Sequence, residues 1–184
     1  MAGFGAKYPC WAPMATEPAA AVPTYSAGQV LGKLVSASRS ISNAEGELWG
    51  DDMRAEYLSE FASGTLDLSV TALTDAQLTA LYGATATDGE IAFDKDDTIP
   101  YGGVGFYQVL MRGGTKYYRA YFYPKCKAII GEASVETKGP SVNFTPEALQ
   151  FSIDSPNYGG WCLVETFADE KDAIDWVKDK CSIT

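Results

Sequence analysis

The chain contains no histidine. That removes the commonest general base and the commonest metal ligand together, so serine–histidine and cysteine–histidine nucleophile schemes are excluded within this chain. Cysteine is scarce: Cys10, Cys126, Cys162 and Cys181 are the only four. None stand at C-x-x-C spacing, so no zinc site is expected. An even number permits two disulfides, but 184 residues with an ordinary core do not need them, and the expectation is reduced, mostly buried thiols. No apolar run reaches the length of a membrane span. No basic segment followed by an apolar core opens the chain, so no signal peptide is read and a soluble, intracellular product is expected. A phosphate cradle is also missing, because Gly102, Gly103 and Gly105 are not followed by a helix. Asp88-Gly89-Glu90 and Asp94-Lys95-Asp96-Asp97 fail the D-x-[DN]-x-[DN]-G calcium pattern and lack its glutamate.

What remains is ample material for a core, since 46% of residues are hydrophobic. The net charge is −10, and it is segregated. Residues 45–103 hold thirteen acids against Arg54 and Lys95, whereas residues 104–138 hold six bases against two acids. Overall acidity argues against stable nucleic-acid binding, which needs a basic footprint. Unlike ends suit head-to-tail association of copies, although a solvated acidic loop beside a basic strand pair is the plainer explanation.

Three parts are expected. Residues 1–32 form a proline-rich N-terminal arm, in which Pro9, Pro13, Pro18 and Pro23 deny both helix and sheet interior. Residues 33–168 form a β domain, and residues 169–184 a C-terminal helical extension. Alternation over 33–42 predicts a strand with Val35, Ala37 and Ile41 on one face and Arg39 between them. Ser36, Ser38, Ser40 and Ser42 line the other face. Residues 43–63 are read as an acidic loop carrying Leu48 and Trp49, which need burial against either the chain's own core or a neighbour. Ser63 to Gly83 alternates and then turns helical. Leu66, Leu68 and Val70 face a core, and Thr65, Asp67, Ser69 and Thr71 face away. Thr74 caps a short helix bearing Leu78, Leu81 and Tyr82, which Gly83 ends. Val104–Met111 and Lys116–Tyr123 flank Gly113-Gly114 as a hairpin. Further strands are expected over Lys127–Glu136, Val142–Phe144, Ala148–Ile153 and Trp161–Phe167, with a Gly139-Pro140 break. A helix over Asp169–Cys181 carries Ala173, Trp176, Val177 and Lys180 on one face. The sum is seven or eight strands and two helices, a mainly β antiparallel sandwich or barrel with helical additions.

Several pieces, in order, resemble the major tail tube proteins of long, non-contractile-tailed bacteriophages. They are Leu48-Trp49-Gly50-Asp51-Asp52; the strand start Ser63-Gly64-Thr65-Leu66-Asp67-Leu68 with its helix ending at Leu81-Tyr82-Gly83; the aromatic run Tyr117–Lys127; and Glu136-Thr137-Lys138-Gly139 before Asn143–Ile153. The resemblance spans residues 30–153. It implies a tail-tube β-sandwich with a flanking helix, and hexameric rings stacked head-to-tail into the conduit for genome ejection. It implies that the chain's partners are itself, a tape measure protein in the lumen, and the tail terminator and distal tail proteins. DNA is a partner only in transit, and no membrane is bound. It places the protein in the virion tail after synthesis and assembly in the host cytoplasm. The loop with Leu48, Trp49, Asp51 and Asp52 would contact the adjacent ring. If apolar faces pack inward, Ser36, Ser38, Ser40, Ser42, Thr65, Asp67 and Ser69 would line the lumen, where neutral and acidic groups ignore or repel phosphate. No catalytic residue, metal or cofactor is expected. The rivals are an acidic, tyrosine-rich β-sandwich that binds carbohydrate or a surface, another tail component such as a terminator or baseplate adaptor, and, least favoured, an enzyme using a carboxylate pair such as Asp51 with Asp67.

Overall fold

The structure is a computed structural model that describes residues 2–131 and 144–184. Eleven strands and two helices follow one another among these residues. They are β1 (Ala2–Thr16), β2 (Thr24–Tyr25), β3 (Gln29–Val30), β4 (Leu34–Gly50), β5 (Met53–Val70), α1 (Asp75–Tyr82), β6 (Thr85–Thr87), β7 (Glu90–Ala92), β8 (Tyr101–Arg112), β9 (Thr115–Ile129), β10 (Glu147–Ile153), β11 (Leu163–Phe167) and α2 (Glu170–Lys180). The protein is mainly β and antiparallel with flanking helices, as expected. The strand count is higher than expected because very short strands carry no readable period. Of the strand expected over Lys127–Glu136, residues 127–129 are the end of β9, Ile130 and Gly131 lie outside any strand, and residues 132–136 lie outside the described residues. The Gly139-Pro140 break and residues 142–143 of the next expected strand lie outside the described residues.

One sheet runs in the order β2-β1-β8-β9-β10-β5-β4, with β3 added to β1 and β11 to β9; β6 and β7 form a separate hairpin. The sheet rolls around a core of Trp11, Leu31, Leu66, Leu68, Val70, Leu81, Val104, Phe106, Tyr123, Leu149, Phe151 and Ile153. The Leu66–Val70 alternation thus buries the expected face. On the opposite face of β1, β8 and β9, a second cluster joins Cys10, Ala12, Tyr107, Val109, Ala120 and Phe122 to Ala173 and Val177 of α2. Strands β8 and β9 are therefore buried on both sides, which explains their continuous aromatic and β-branched character. Gly103 permits this packing, since a Cβ there would lie 2.5 Å from the Phe122 ring and 2.8 Å from Tyr25. Helix α1 has the expected capping box: Thr74 Oγ1 accepts from Gln77 N–H, and the Gln77 side chain accepts from Thr74 N–H. Gly83 ends it in the left-handed conformation. Gly113 and Gly114, at φ 56° and 81°, close the β8–β9 hairpin.

Three expectations are corrected. Residues 2–16 do not stay out of the sheet: β1 pairs with β8 from Ala2↔Met111 to Pro13↔Gly102. Its prolines are tolerated for local reasons. Pro9 falls in a register shift between Lys7 and Cys10, beside Tyr8 at φ 59°. The carbonyls of Pro9 and Pro13 still accept from Leu31 N–H and Ser26 N–H. The thiols are not all reduced, because Cys10 and Cys181 form a disulfide across 171 residues, leaving Cys126 and Cys162 free. Residues 43–63 are not a loop. They continue β4 and β5 as one long hairpin that turns at Asp51-Asp52. Both aspartates have positive φ, 49° and 61°, the geometry of a two-residue hairpin turn that aspartate tolerates.

Candidate functional site: a polar sheet face and a projecting hairpin

Register brings the predicted polar residues together. In the β4–β5 ladder Ser36 pairs with Ser69, Ser38 with Asp67, Ser40 with Thr65 and Ser42 with Ser63. Directly paired residues point to the same side of a sheet, so the serine stripe and the Thr65–Asp67–Ser69 stripe form one surface. That surface continues through β10 and β9. Asp67 pairs with Gln150 and Thr65 with Ser152; Gln150 then pairs with Ile129 and Ser152 with Lys127; Lys127 pairs in turn with Tyr101 of β8. Two rows result, Ser38–Asp67–Gln150–Ile129 and Ser40–Thr65–Ser152–Lys127–Tyr101. The Gln150 amide donates to Asp67 Oδ1 at 2.8 Å, and the Lys127 ammonium lies 5.5 Å from the Tyr101 ring centre. Gln150, Ser152, Lys127 and Tyr101 are not among the expected residues. The alternation of Gln150 and Ser152 with Leu149, Phe151 and Ile153 is the signal that marks two of them.

One residue of the stripe pattern departs from expectation. Val35 is expected on the core face with Ala37 and Ile41, but it is 58% exposed. The register shifts between Leu34 and Ser36, so Val35 is the extra residue of a bulge and Leu34 packs on the core instead.

Beyond Ser42 and Ser63 the hairpin leaves the body of the protein, and residues 43–60 are exposed throughout. Leu48 and Trp49 are each 62% exposed, with Met53, Tyr57 and Leu58 exposed beside them. Burial of Leu48 and Trp49 in the chain's own core, one of the two expected outcomes, is therefore not observed. Glu47 organises the tip by accepting from Trp49 Nε1 at 3.0 Å and Arg54 Nη1 at 3.1 Å, and the Arg54 guanidinium lies over the Tyr57 ring. At the base of the hairpin Phe61 stacks on Trp161, with ring centres 4.8 Å apart. The outer edge of β4 has no partner strand among the described residues.

Ionic contacts elsewhere fasten the body. Glu17 accepts twice from Lys125 Nζ at 2.9 Å and once from Asn157 N–H. The hydrogen bonds from Lys125 hold its carboxyl below the ordinary range. Glu170, which opens α2, accepts from the Tyr107 hydroxyl and from Lys7, and these bonds lower its carboxyl in the same sense. Burial pushes the Tyr107 hydroxyl well up, and its bond to Glu170 adds to the shift.

Among the described residues, no group of three or more Cys, Asp or Glu could hold a metal ion. Asp94, Asp96 and Asp97 instead close a local turn, in which Asp94 N–H donates to Asp97 and Asp96 N–H donates to Asp94. No helix among the described residues is long and apolar enough to cross a membrane. No protein-family model matches the chain, and no curated protein matches it.

Proposed function

We propose that this is a structural, non-catalytic protein that assembles with copies of itself into stacked rings forming a phage tail tube. The observation that carries the reading is the shared polar face of β4, β5, β10 and β9 beside an unpaired β4 edge. A conduit for DNA needs a wall of small neutral and carboxylate groups that does not grip phosphate. Within the two rows this face offers serine, threonine, Gln150 and Asp67 against a single ammonium, Lys127, with Ile129 and Tyr101 at its β9 and β8 end. A tube also needs strand edges that pair between subunits, and the projecting part of β4, beyond Ser42, supplies one. The exposed apolar hairpin tip would be covered by a neighbouring subunit, with Leu48, Trp49, Asp51 and Asp52 in the contact. In this reading the partners are further copies, a tape measure protein in the lumen, terminator and distal tail proteins at the ends, and DNA in transit. The protein would be made and assembled in the host cytoplasm and function in the virion tail.

Negative-stain microscopy of concentrated protein, alone and seeded with tail tips, should give rings or tubes with a central hole. In those tubes, cysteines placed at Ser38 and Asp67 should react only with reagents small enough to enter the channel. Labelling of both by a bulky reagent confined to the outside would refute the lumen assignment.

A further inference from the structure

We infer that the seam between β1 and β4 is a receptor for an acidic side chain at the hairpin tip of a second copy, with Arg39 as its anchor. The inference rests on the self-assembly reading above and gives one of its contacts a chemistry.

The sheet does not close: β4 approaches β1 but is not paired with it. A cleft of about 220 Å³ opens there, lined by Ala6, Ala37, Arg39, Phe106, Gln108, Tyr121 and Tyr123. Arg39 is on the core-facing side of β4, between Ala37 and Ile41, but at the open mouth of the seam its side chain stays exposed. Its guanidinium lies 5.5 Å from the centre of the Trp161 ring. It donates from Nη1 to the Tyr123 hydroxyl at 3.4 Å and also interacts with the Cys162 thiol. Among the described residues Arg39 has no carboxylate within ion-pair distance, as is also true of Lys33, Arg112 and Lys127, but of these cations it is Arg39 that lines the cleft. A guanidinium carries five N–H donors and matches a carboxylate with two of them. The Gln108 amide and the Tyr121 and Tyr123 hydroxyls provide further polar groups around that position, and Phe106 provides an apolar wall.

The occupant follows from charge and reach. The hairpin carries Glu45, Asp51, Asp52, Glu56 and Glu60, which form no ion pair among the described residues, next to exposed Leu48, Trp49 and Met53. Such a tip complements a cationic cleft with aromatic walls. It cannot fill its own cleft, because Arg39 and Asp51 lie on one extended strand, about 40 Å apart at strand rise. A second copy can deliver the carboxylate that the chain's own tip cannot. Tip and cleft are different surfaces, so a one-way contact between them is head-to-tail and can propagate from copy to copy.

The test is charge reversal and rescue in the full chain, read by sedimentation velocity and negative stain. Arg39→Glu, and separately Asp51→Lys with Asp52→Lys, should each weaken self-association by at least about tenfold; the combined variant should regain most of it. Arg39→Lys should keep part of it, because a point charge lacks the two-pronged geometry. Near-UV circular dichroism checks folding. Should Arg39→Glu unfold, Arg39→Gln and the solvent-exposed tip variant decide the outcome in its place. Association unchanged in the Arg39 and tip variants overturns the inference, and if tubes still form it leaves the tube reading standing. Charge-dependent association without hollow rings would do the reverse. A wild type that stays monomeric at every concentration, seeded or not, overturns both.

Discussion

Cutting the Cys10–Cys181 disulfide should destabilise the fold about as much as the loss of a large core side chain. The bridge spans 171 residues, and in the chain-entropy treatment closing so long a loop stabilises the native state by about 5 kcal/mol. That is an upper figure, since a compact denatured chain has already lost part of this entropy. An observed difference of about 3–5 kcal/mol would still be a large share of the roughly 5–15 kcal/mol available to a domain. Helix α2 should nevertheless stay docked after reduction, because Ala173 and Val177 remain buried against β8 and β9. The transition should therefore stay cooperative while its midpoint falls. The assay is equilibrium urea unfolding with and without reductant, alongside the Cys10→Ala, Cys181→Ala double variant. Reductant should lower the wild-type midpoint to about that of the double variant and leave the variant unmoved. The denaturant slope should rise slightly, as an unbridged denatured chain exposes more surface. Thiol titration of the denatured, oxidised protein should find only Cys126 and Cys162. Four titratable thiols, or a midpoint indifferent to reductant, would refute the reasoning.

Other outcomes follow from the packing and the charges. Phe151→Ala, at a position with no exposure, should cost about 3–5 kcal/mol in urea unfolding. Gly103→Ala must push a Cβ to within 2.5 Å of Phe122 and should cost about 1–3 kcal/mol, visible as a lower Tm. Replacing residues 45–59 with Asn-Gly, which joins the paired Ala44 and Glu60, should leave monomer stability within about 1 kcal/mol, because the removed side chains are exposed, while abolishing assembly. Acid should destabilise through Glu17 and Glu170. Both carboxyls are held below their ordinary value of 4.5 when folded, so their contribution is present above that pH and is lost as pH falls through the lower folded values. Glu17→Gln should therefore flatten part of the decline measured between neutral pH and pH 3.

Where a stretch has one wet and one dry face, its structure could be read from residue order. Leu66, Leu68 and Val70 alternate with Thr65, Asp67 and Ser69, and both the strand and its core face are as expected. The Thr74–Gly83 helix was equally legible, because cap and stop are local chemistry. The hairpin tip was not: residues 43–60 are wet on both faces, so no period of two in hydropathy exists to mark the strands, and its turn uses Asp51-Asp52 without glycine. Strand β1 was hidden by prolines whose missing N–H groups are harmless only because of a bulge and of partners far along the chain. The disulfide was hidden for a related reason, since nothing near Cys10 or Cys181 signals that β1 and α2 meet. The polar face lay half in view: its β4 and β5 stripes could be read, whereas its continuation through Gln150, Ser152 and Lys127 depends on register between strands distant in sequence.

The meeting of β1 with β8 and α2 also sets an order of events during synthesis. Strand β1 leaves the ribosome early and finds only the two-residue strands β2 and β3 nearby; its long ladder partner is β8, from Pro13↔Gly102 to Ala2↔Met111, and its covalent partner is Cys181. The β4–β5 hairpin and α1 need only near neighbours and can form as they emerge, whereas β1 must wait with Trp11, Cys10 and Ala12 uncovered. Topologies of such high contact order fold slowly and hold sticky surface open meanwhile. A nascent chain stalled before residue 101 should therefore lack the outer layer altogether, be sensitive to protease within residues 2–16, and depend on chaperones that shield that segment until β8 arrives.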